Sequence, residues 1–436
     1  MGTSEVGPYR TVGHDNPFYV LQYDKGGRTR SPETLNLART AMRSREFTDV
    51  VVFSHGWNND WEAATARYNS FADGFVEQRA DDPTRRALLL GIFWPSTLLV
   101  MPGEREQDIA GGNGAPQDPD TVAREDVTEA LGAAAATRAK ELFARDELNN
   151  QETTELASLL APIYRGGVEE LGEDSPPPTA QELASSWLTG PPLVTLPASE
   201  DSESEDWGIV DDTGSGPQAA AFWDRFDPRN AVRAASVWLM KDRAGRVGTS
   251  AVGPLVREVL DQTDARLHLV GHSFGGKVVL SALCAEPVKR PVHSVLLLQP
   301  AVNHLCFAES VPGLGKPGGY REALARVERP IFSTYSAHDA PLTRFFHWAL
   351  RRSGDLGEPQ VAAWPDPPSD YAALGGFGPH GADADTQWVK LQKPEEAYTL
   401  DPDRKIAAVD GTSGIHGHGA VSIPETWWAL RELMSA

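Results

Sequence analysis

The chain has 436 residues, 40% of them hydrophobic and 23% charged, which suffices to bury the core of one large α/β domain or of two smaller ones. Its formal net charge of −21 argues against nucleic acid and anionic membrane surfaces as partners, because both attract basic patches. The two cysteines, Cys284 and Cys306, make neither a disulfide framework nor a C-x-x-C pair.

The first run, MGTSEVGPYRTVGHDNP, has no basic start followed by an apolar stretch, so no secretory leader is read. Val6 stands where a myristoylation signal on Gly2 needs Ser or Thr. No apolar stretch reaches bilayer length. The expectation is a cytoplasmic protein without a transmembrane segment.

Residues 18–23 read as a strand. Residues 49–54 form a short β-branched run of the kind a parallel sheet buries, and it ends at His55-Gly56-Trp57. A helix over 62–78 follows, then a buried strand over 87–94, closed by Pro95-Ser96. From about 98 to 230 the character changes. GGNGAPQDP, GEDSPPP and ASEDSESEDWGIVDD are rich in proline and acid, and no Lys or Arg stands between Arg165 and Arg225. A helical piece is read around 124–147. Otherwise this composition builds loops or a mobile cover more readily than a core. Order returns at 231–240, with a helix near 252–261, a strand over 266–270 and a helix over 276–285. Strands are read over 292–298, 331–336 and 405–409. A Pro/Gly-rich stretch covers 353–384. Residues 424–434, with Trp427, Trp428, Leu430 and Leu433, read as an amphipathic helix. Strands separated by helical segments imply a mostly parallel central sheet with helices on both faces. Sites in such sheets form at the C-terminal strand ends.

The strand over 266–270 runs into Gly271-His272-Ser273-Phe274-Gly275. With 40 glycines present, a bare G-x-S-x-G arises by chance in roughly one such chain in five, so context decides. Here an apolar run precedes it and a helix follows, the setting in which a sharp turn holds a serine hydroxyl clear as a nucleophile. Such a hydroxyl needs a base, and the base needs an orienting acid. Asp339, in AHDAPL just past the strand over 331–336, is the candidate acid, and Asp410 is second. The plain alternative for Asp339 is a turn-capping aspartate. For the base, GTSGIHGHGAVS offers His416 and His418, which composition does not separate. His338 abuts the acid, His347 reads as a helix-packing residue, and His380 lies in a Pro/Gly-rich loop with no strand before it. The N–H groups that would receive an oxyanion are those of Phe274 and, after the first buried strand, Trp57. The spacing of His416 and His418 does not fit an H-E-x-x-H pair and no third ligand is evident, so no metal or other cofactor is expected.

VVVFSHGWNND, GIFWPS and HLVGHSFGG together resemble the HG[YW]N, WPS and [GA]HS[MF]G series of a group of bacterial α/β-hydrolases with esterase- or lipase-like character. The likeness covers about 49–96 and about 235 to the end, with the acid in YSAHDAPL. GHGAVSIPETWW is similar to the S-H-x-D-I-x-x-P-E-V endings of that group, which aligns its histidine with His418 rather than His416. The resemblance implies an α/β-hydrolase fold built from 1–99 and 231–436. It implies Ser273 as nucleophile, Asp339 as acid, His418 as base, and Trp57 and Phe274 at the oxyanion hole. The reaction implied is hydrolysis of a small-molecule or lipid carboxylic ester through an acyl-enzyme, without a cofactor. An acyltransferase, a thioesterase and a non-catalytic binding module on the same fold are the alternatives. VWLMKDRAGRVG is similar to an M-K-x-R-A stretch of the group, with Lys241 and Arg243 expected to be solvated or paired. Residues 100–230 have no counterpart in the likeness. They enter near the C-terminal strand ends, where they would cover the site as a lid, with Trp187, Leu188, Trp207, Phe222 and Trp223 as its apolar underside. The alternative is a disordered surface excursion.

Overall fold

A computed structural model describes residues 6–13, 16–56, 61–79, 85–96, 119–165, 178–189, 226–346, 349 and 366–435. Its strands are β1 (Arg10–Val12), β2 (Asn16–Gln22), β3 (Asp49–Ser54), β4 (Ala87–Phe93), β5 (Arg266–His272), β6 (Ser294–Leu298), β7 (Ile331–Tyr335), β8 (Thr386–Lys390) and β9 (Ile406–Asp410). They form one nine-stranded sheet in the order β1-β2-β4-β3-β5-β6-β7-β9-β8. The β1–β2 pair is antiparallel, and every other pairing from β2 to β8 is parallel.

The central strands are apolar along their whole length because both faces of the sheet are covered. All six residues of β3 are buried, Val50 and Val52 in one apolar cluster and Val51 and Phe53 in the other. The period of two along a strand sends alternate side chains to opposite faces. The helices Pro32–Arg43, Pro228–Val247, Gly253–Gln262 and Phe274–Ala285 cover the first face. The helices Trp61–Arg79 and Pro424–Ser435 cover the second. The chain is an α/β protein with a mostly parallel sheet flanked by helices. None of its described helices is long and apolar enough to cross a membrane.

The stretch 100–230 departs from its composition. The helical piece read around 124–147 is two helices, Pro119–Glu129 and Ala133–Phe143, and where loops were expected the described part adds Asn150–Leu160 and Ala180–Thr189. Ala123, Val127, Leu142, Leu156, Leu160 and Trp187 join the apolar cluster of the first sheet face. Trp187 stacks on Phe226 with ring centroids 5.6 Å apart, and Leu188 is partly buried beside it. Trp207, Phe222 and Trp223 lie outside the described residues. Ion pairs tie this stretch to the rest: Arg243 Nη2 reaches both Asp126 carboxylate oxygens at 3.0 Å while its Nη1 donates to Pro95 O at 2.9 Å, and Lys25 Nζ lies 2.7 Å from both Asp126 Oδ1 and Glu129 Oε2. Arg243 is therefore paired and buried, and Lys241 is buried with its Nζ 5.2 Å from the Trp238 ring, so neither is solvated. VWLMKDRAGRV lies inside one continuous helix, Pro228–Val247, which a π-type turn at Gly248–Val252 joins to the next.

Candidate active site

Six neighbouring parallel strands, β4, β3, β5, β6, β7 and β9, end on the same side of the sheet, and their C-terminal ends gather the polar residues. Parallel pairing makes this inevitable, since each strand delivers the residue after it to the same edge.

β5 runs to His272 and the helix Phe274–Ala285 begins two residues later, so the whole reversal falls on Ser273. Its backbone sits at φ 55°, ψ −126°, a conformation that costs a non-glycine residue about 1–3 kcal/mol. The surroundings enforce it. Ser273 N–H donates to Leu298 O at 3.0 Å, and Ser273 O accepts from Gly276 N–H at 2.9 Å. Gly275 has no room for a side chain, because a Cβ there would lie 2.1 Å from Ser54 O and 2.6 Å from His55 O. The helix start is thus pressed against the end of β3.

Ser273 Oγ lies 2.8 Å from His418 Nε2. His418 Nδ1 lies 2.8 Å from Asp339 Oδ2. A carboxylate only accepts, so Nδ1 carries the proton and Nε2 is left to accept from the serine. Asp339 sits past the end of β7, fully buried, with its Oδ1 accepting from Leu342 N–H at 3.0 Å. His418 lies on the loop between β9 and the helix Pro424–Ser435, and its side chain keeps 11% of its surface exposed. Of the residues singled out from the sequence, Ser273, Asp339 and His418 meet. Asp410 instead caps the turn after β9, accepting from Thr412 N–H at 3.0 Å. His416 is exposed, with its ring 5.5 Å from that of His338. His380 lies 3.3 Å from Phe377 O through Nε2. His347 is outside the described residues.

The loop after β3 comes against the serine: a Cβ on Gly56 would lie 2.3 Å from Ser273 Cβ and 3.0 Å from its Oγ. His55 builds this loop. Its Nδ1–H donates to Gly56 O at 2.7 Å, its Nε2 accepts from Trp94 N–H at 3.3 Å, and its ring stacks on Trp94 at 5.5 Å. Trp94 Nε1–H returns a bond to His55 O at 3.2 Å. Burial pushes the His55 pKa down to about 4, so the ring is neutral, as this donor–acceptor pairing requires. The His-Gly turn and the Trp-Pro-Ser segment are therefore one hydrogen-bonded unit. Trp57 is outside the described residues, and Phe274 opens the helix at the serine.

Two further residues join the site without having been read from the sequence. Gln299 follows β6 in a left-handed conformation at φ 43° and is fully buried. Its Nε2 donates to Asp339 Oδ2 at 3.1 Å, and its Oε1 accepts from Thr334 Oγ1–H at 2.9 Å. The carboxylate oxygen facing His418 thus has a second donor. The available signal was a polar residue closing the apolar run SVLLL before Pro300. The other is His272, whose Nε2 lies 2.8 Å from His418 O. Among the described residues no group of three or more His, Cys, Asp or Glu is placed to hold a metal ion. Comparison of the chain with protein-family models, with curated proteins and with solved structures gave no match.

Proposed function

We propose that the chain is a serine hydrolase of the α/β-hydrolase fold that cleaves carboxylic esters through an acyl-enzyme. The observation that carries this reading is the unbroken line Ser273 Oγ, His418 Nε2, His418 Nδ1, Asp339 Oδ2, with both hydrogen bonds at 2.8 Å. His418 takes the proton from Ser273 as Oγ attacks the ester carbonyl. The imidazolium that forms is held by Asp339, then gives its proton to the leaving alkoxide. A water molecule deprotonated by His418 next attacks the acyl-serine, and Ser273 is regenerated. The tetrahedral oxyanion would be met by the N–H of Phe274 and by that of Trp57, after the loop that His55 holds against the serine. The strained backbone of Ser273 supports the same reading, since a sharp strand-to-helix turn of this kind is the setting that presents a nucleophilic hydroxyl.

Labelling of the purified chain with a fluorophosphonate probe tests the proposal, alongside Ser273→Ala and His418→Ala. Wild type should label, Ser273→Ala should not, and His418→Ala should label at least about 100-fold more slowly. A folded wild-type chain that does not label, or a Ser273→Ala chain that does, would overturn it. Hydrolysis of a p-nitrophenyl ester series then reads the acyl preference.

A further inference from the structure

The segment that carries His418 is held from within by short turns, Ala420 N–H donating to Gly417 O at 3.2 Å and Val421 N–H to Gly419 O at 2.9 Å. Glycines flank the histidine on both sides, and a Cβ on Gly417 would meet nothing within 4 Å. Glycine loses more backbone freedom on ordering than other residues, so a base on such a segment also needs fastening from outside. Neighbouring elements supply this through the backbone carbonyls. Ser336 Oγ–H donates to Ile415 O at 2.8 Å, and Arg67 Nη1 reaches Gly419 O at 3.5 Å. Between them, His272 Nε2 lies 2.8 Å from His418 O. A carbonyl only accepts, so Nε2 carries the proton.

On the reading of Ser273 and His418 as nucleophile and base, we propose that His272 is a positioning residue. Its Nε2–H pins the backbone of His418 and so sets the distance from the base to the serine that follows His272 in the chain. The arrangement is economical in geometry. One residue of β5 fixes the base while its neighbour in sequence carries the nucleophile, so the two groups share a single rigid origin. The two imidazoles lie with centroids 5.1 Å apart at 39°. Burial, with the Arg67 and His418 charges as lesser causes, holds the His272 pKa well below the ordinary histidine value. The ring stays neutral and adds no second positive charge when His418 becomes an imidazolium. Its other nitrogen, Nδ1, is buried with no hydrogen-bond partner among the described residues. An orphan of that kind is a cost to the fold. Filling space alone would not need a histidine, and the bond made by Nε2 accounts for one.

The choice of nitrogen gives the test. Glutamine places an amide nitrogen where Nε2 stands, whereas asparagine places one where Nδ1 stands. The full chain, as wild type, Ser273→Ala, His272→Gln, His272→Asn and His272→Phe, is assayed for fluorophosphonate labelling rate and for kcat/KM on p-nitrophenyl acetate. A thermal melt reports the fold of each. His272→Gln should stay within about threefold of wild type, while Asn and Phe should lose about 100-fold in kcat, the scale for a reacting group displaced by about 1 Å. KM should hardly move. A folded His272→Phe chain as fast as wild type overturns the positioning role and leaves Ser273 as nucleophile. So does His272→Gln falling as far as His272→Asn, a comparison that stands even where Phe does not fold. Wild type that fails to label overturns the proposed function, and this role with it.

Discussion

Asp49, His268 and Ser294 offer the same three side-chain types as the candidate site, joined by bonds of similar length. His268 Nε2 lies 3.0 Å from Asp49 Oδ1, and its Nδ1 lies 2.8 Å from Ser294 Oγ. The differences are physical. This set lies at the starts of β3, β5 and β6, the opposite edge of the sheet, and all three residues are fully buried. The nitrogens are used in reverse, with the carboxylate on Nε2 and the serine on Nδ1. Ser294 lies within a regular strand, without the left-handed turn of Ser273. Burial lowers the His268 pKa to about 4. Ser294→Ala should therefore label as fast as wild type but lose about 1–3 kcal/mol of stability, because His268 Nδ1 is left buried and unpaired. Labelling that depends on Ser294 would count against Ser273 as the nucleophile. Gln299→Leu should act the other way round, through Asp339: loss of the bond to Oδ2 should cut kcat about tenfold with little change in KM, as for one hydrogen bond to a charged group. An unchanged kcat in a folded Gln299→Leu chain would show that Asp339 needs no second donor. Ser273, Asp339 and the pair His416 and His418 were legible because each follows an apolar run or lies in a glycine-rich loop late in the chain, whereas the choice of His418 within that pair rested on the resemblance of GHGAVSIPETWW. Gln299 and His272 were not, because what distinguishes them is a partner 40 or 146 residues away in sequence.

At the scale of elements, periodicity located the strands buried on both faces and missed those at the edges. β3 and β5 are continuous apolar runs, whereas β8, TQWVK, alternates in exposure with Trp388 46% exposed, and it follows a stretch dominated by Pro and Gly. Within the stretch 100–230, the helices beyond 147 were misread for a different reason. Its mean composition is that of a loop, yet helix starts are written locally in it. Asn149 and Glu152 form a reciprocal capping box, and Thr179 with Glu182 repeats the pattern, with bonds of 2.7 and 3.3 Å. Two such signals outweigh an acidic average, because a helix needs only one apolar stripe to pack. The junction depends on Arg243, whose side chain is 6% exposed against 11% for Asp126. Arg243→Met should destabilise the chain by about 3 kcal/mol, the scale for breaking a buried pair. Lys25, 2.7 Å from Asp126, moderates the loss. The double change Arg243→Met with Asp126→Leu should recover part of it, since it removes the stranded charge as well. Urea denaturation of both variants checks this, and a double variant no more stable than the single would refute it.

For the whole molecule, two electrostatic effects oppose each other as pH falls. The net charge of −21 disfavours the compact state through self-repulsion, and protonation of carboxylates relieves it. The buried histidines pull the other way. Burial sets His55 and His268 near pKa 4 and His304 near 3, below the ordinary histidine value of 6.5. A histidine that is harder to protonate when folded stabilises the fold fully above 6.5, and that contribution is lost as pH falls toward the folded-state value. Between about pH 6.5 and 4, His55 and His268 should each withdraw about 3 kcal/mol. Salt separates the two effects. Surface repulsion is largely screened at ~0.5 M ionic strength, while buried imidazoles hardly sense it. At low salt the relief of repulsion should mask part of the histidine loss. At ~0.5 M salt the melting temperature should fall steeply from pH 6.5 to 4. A melting temperature that stays level across that window in high salt would mean that these rings gain water, and their protons, without unfolding.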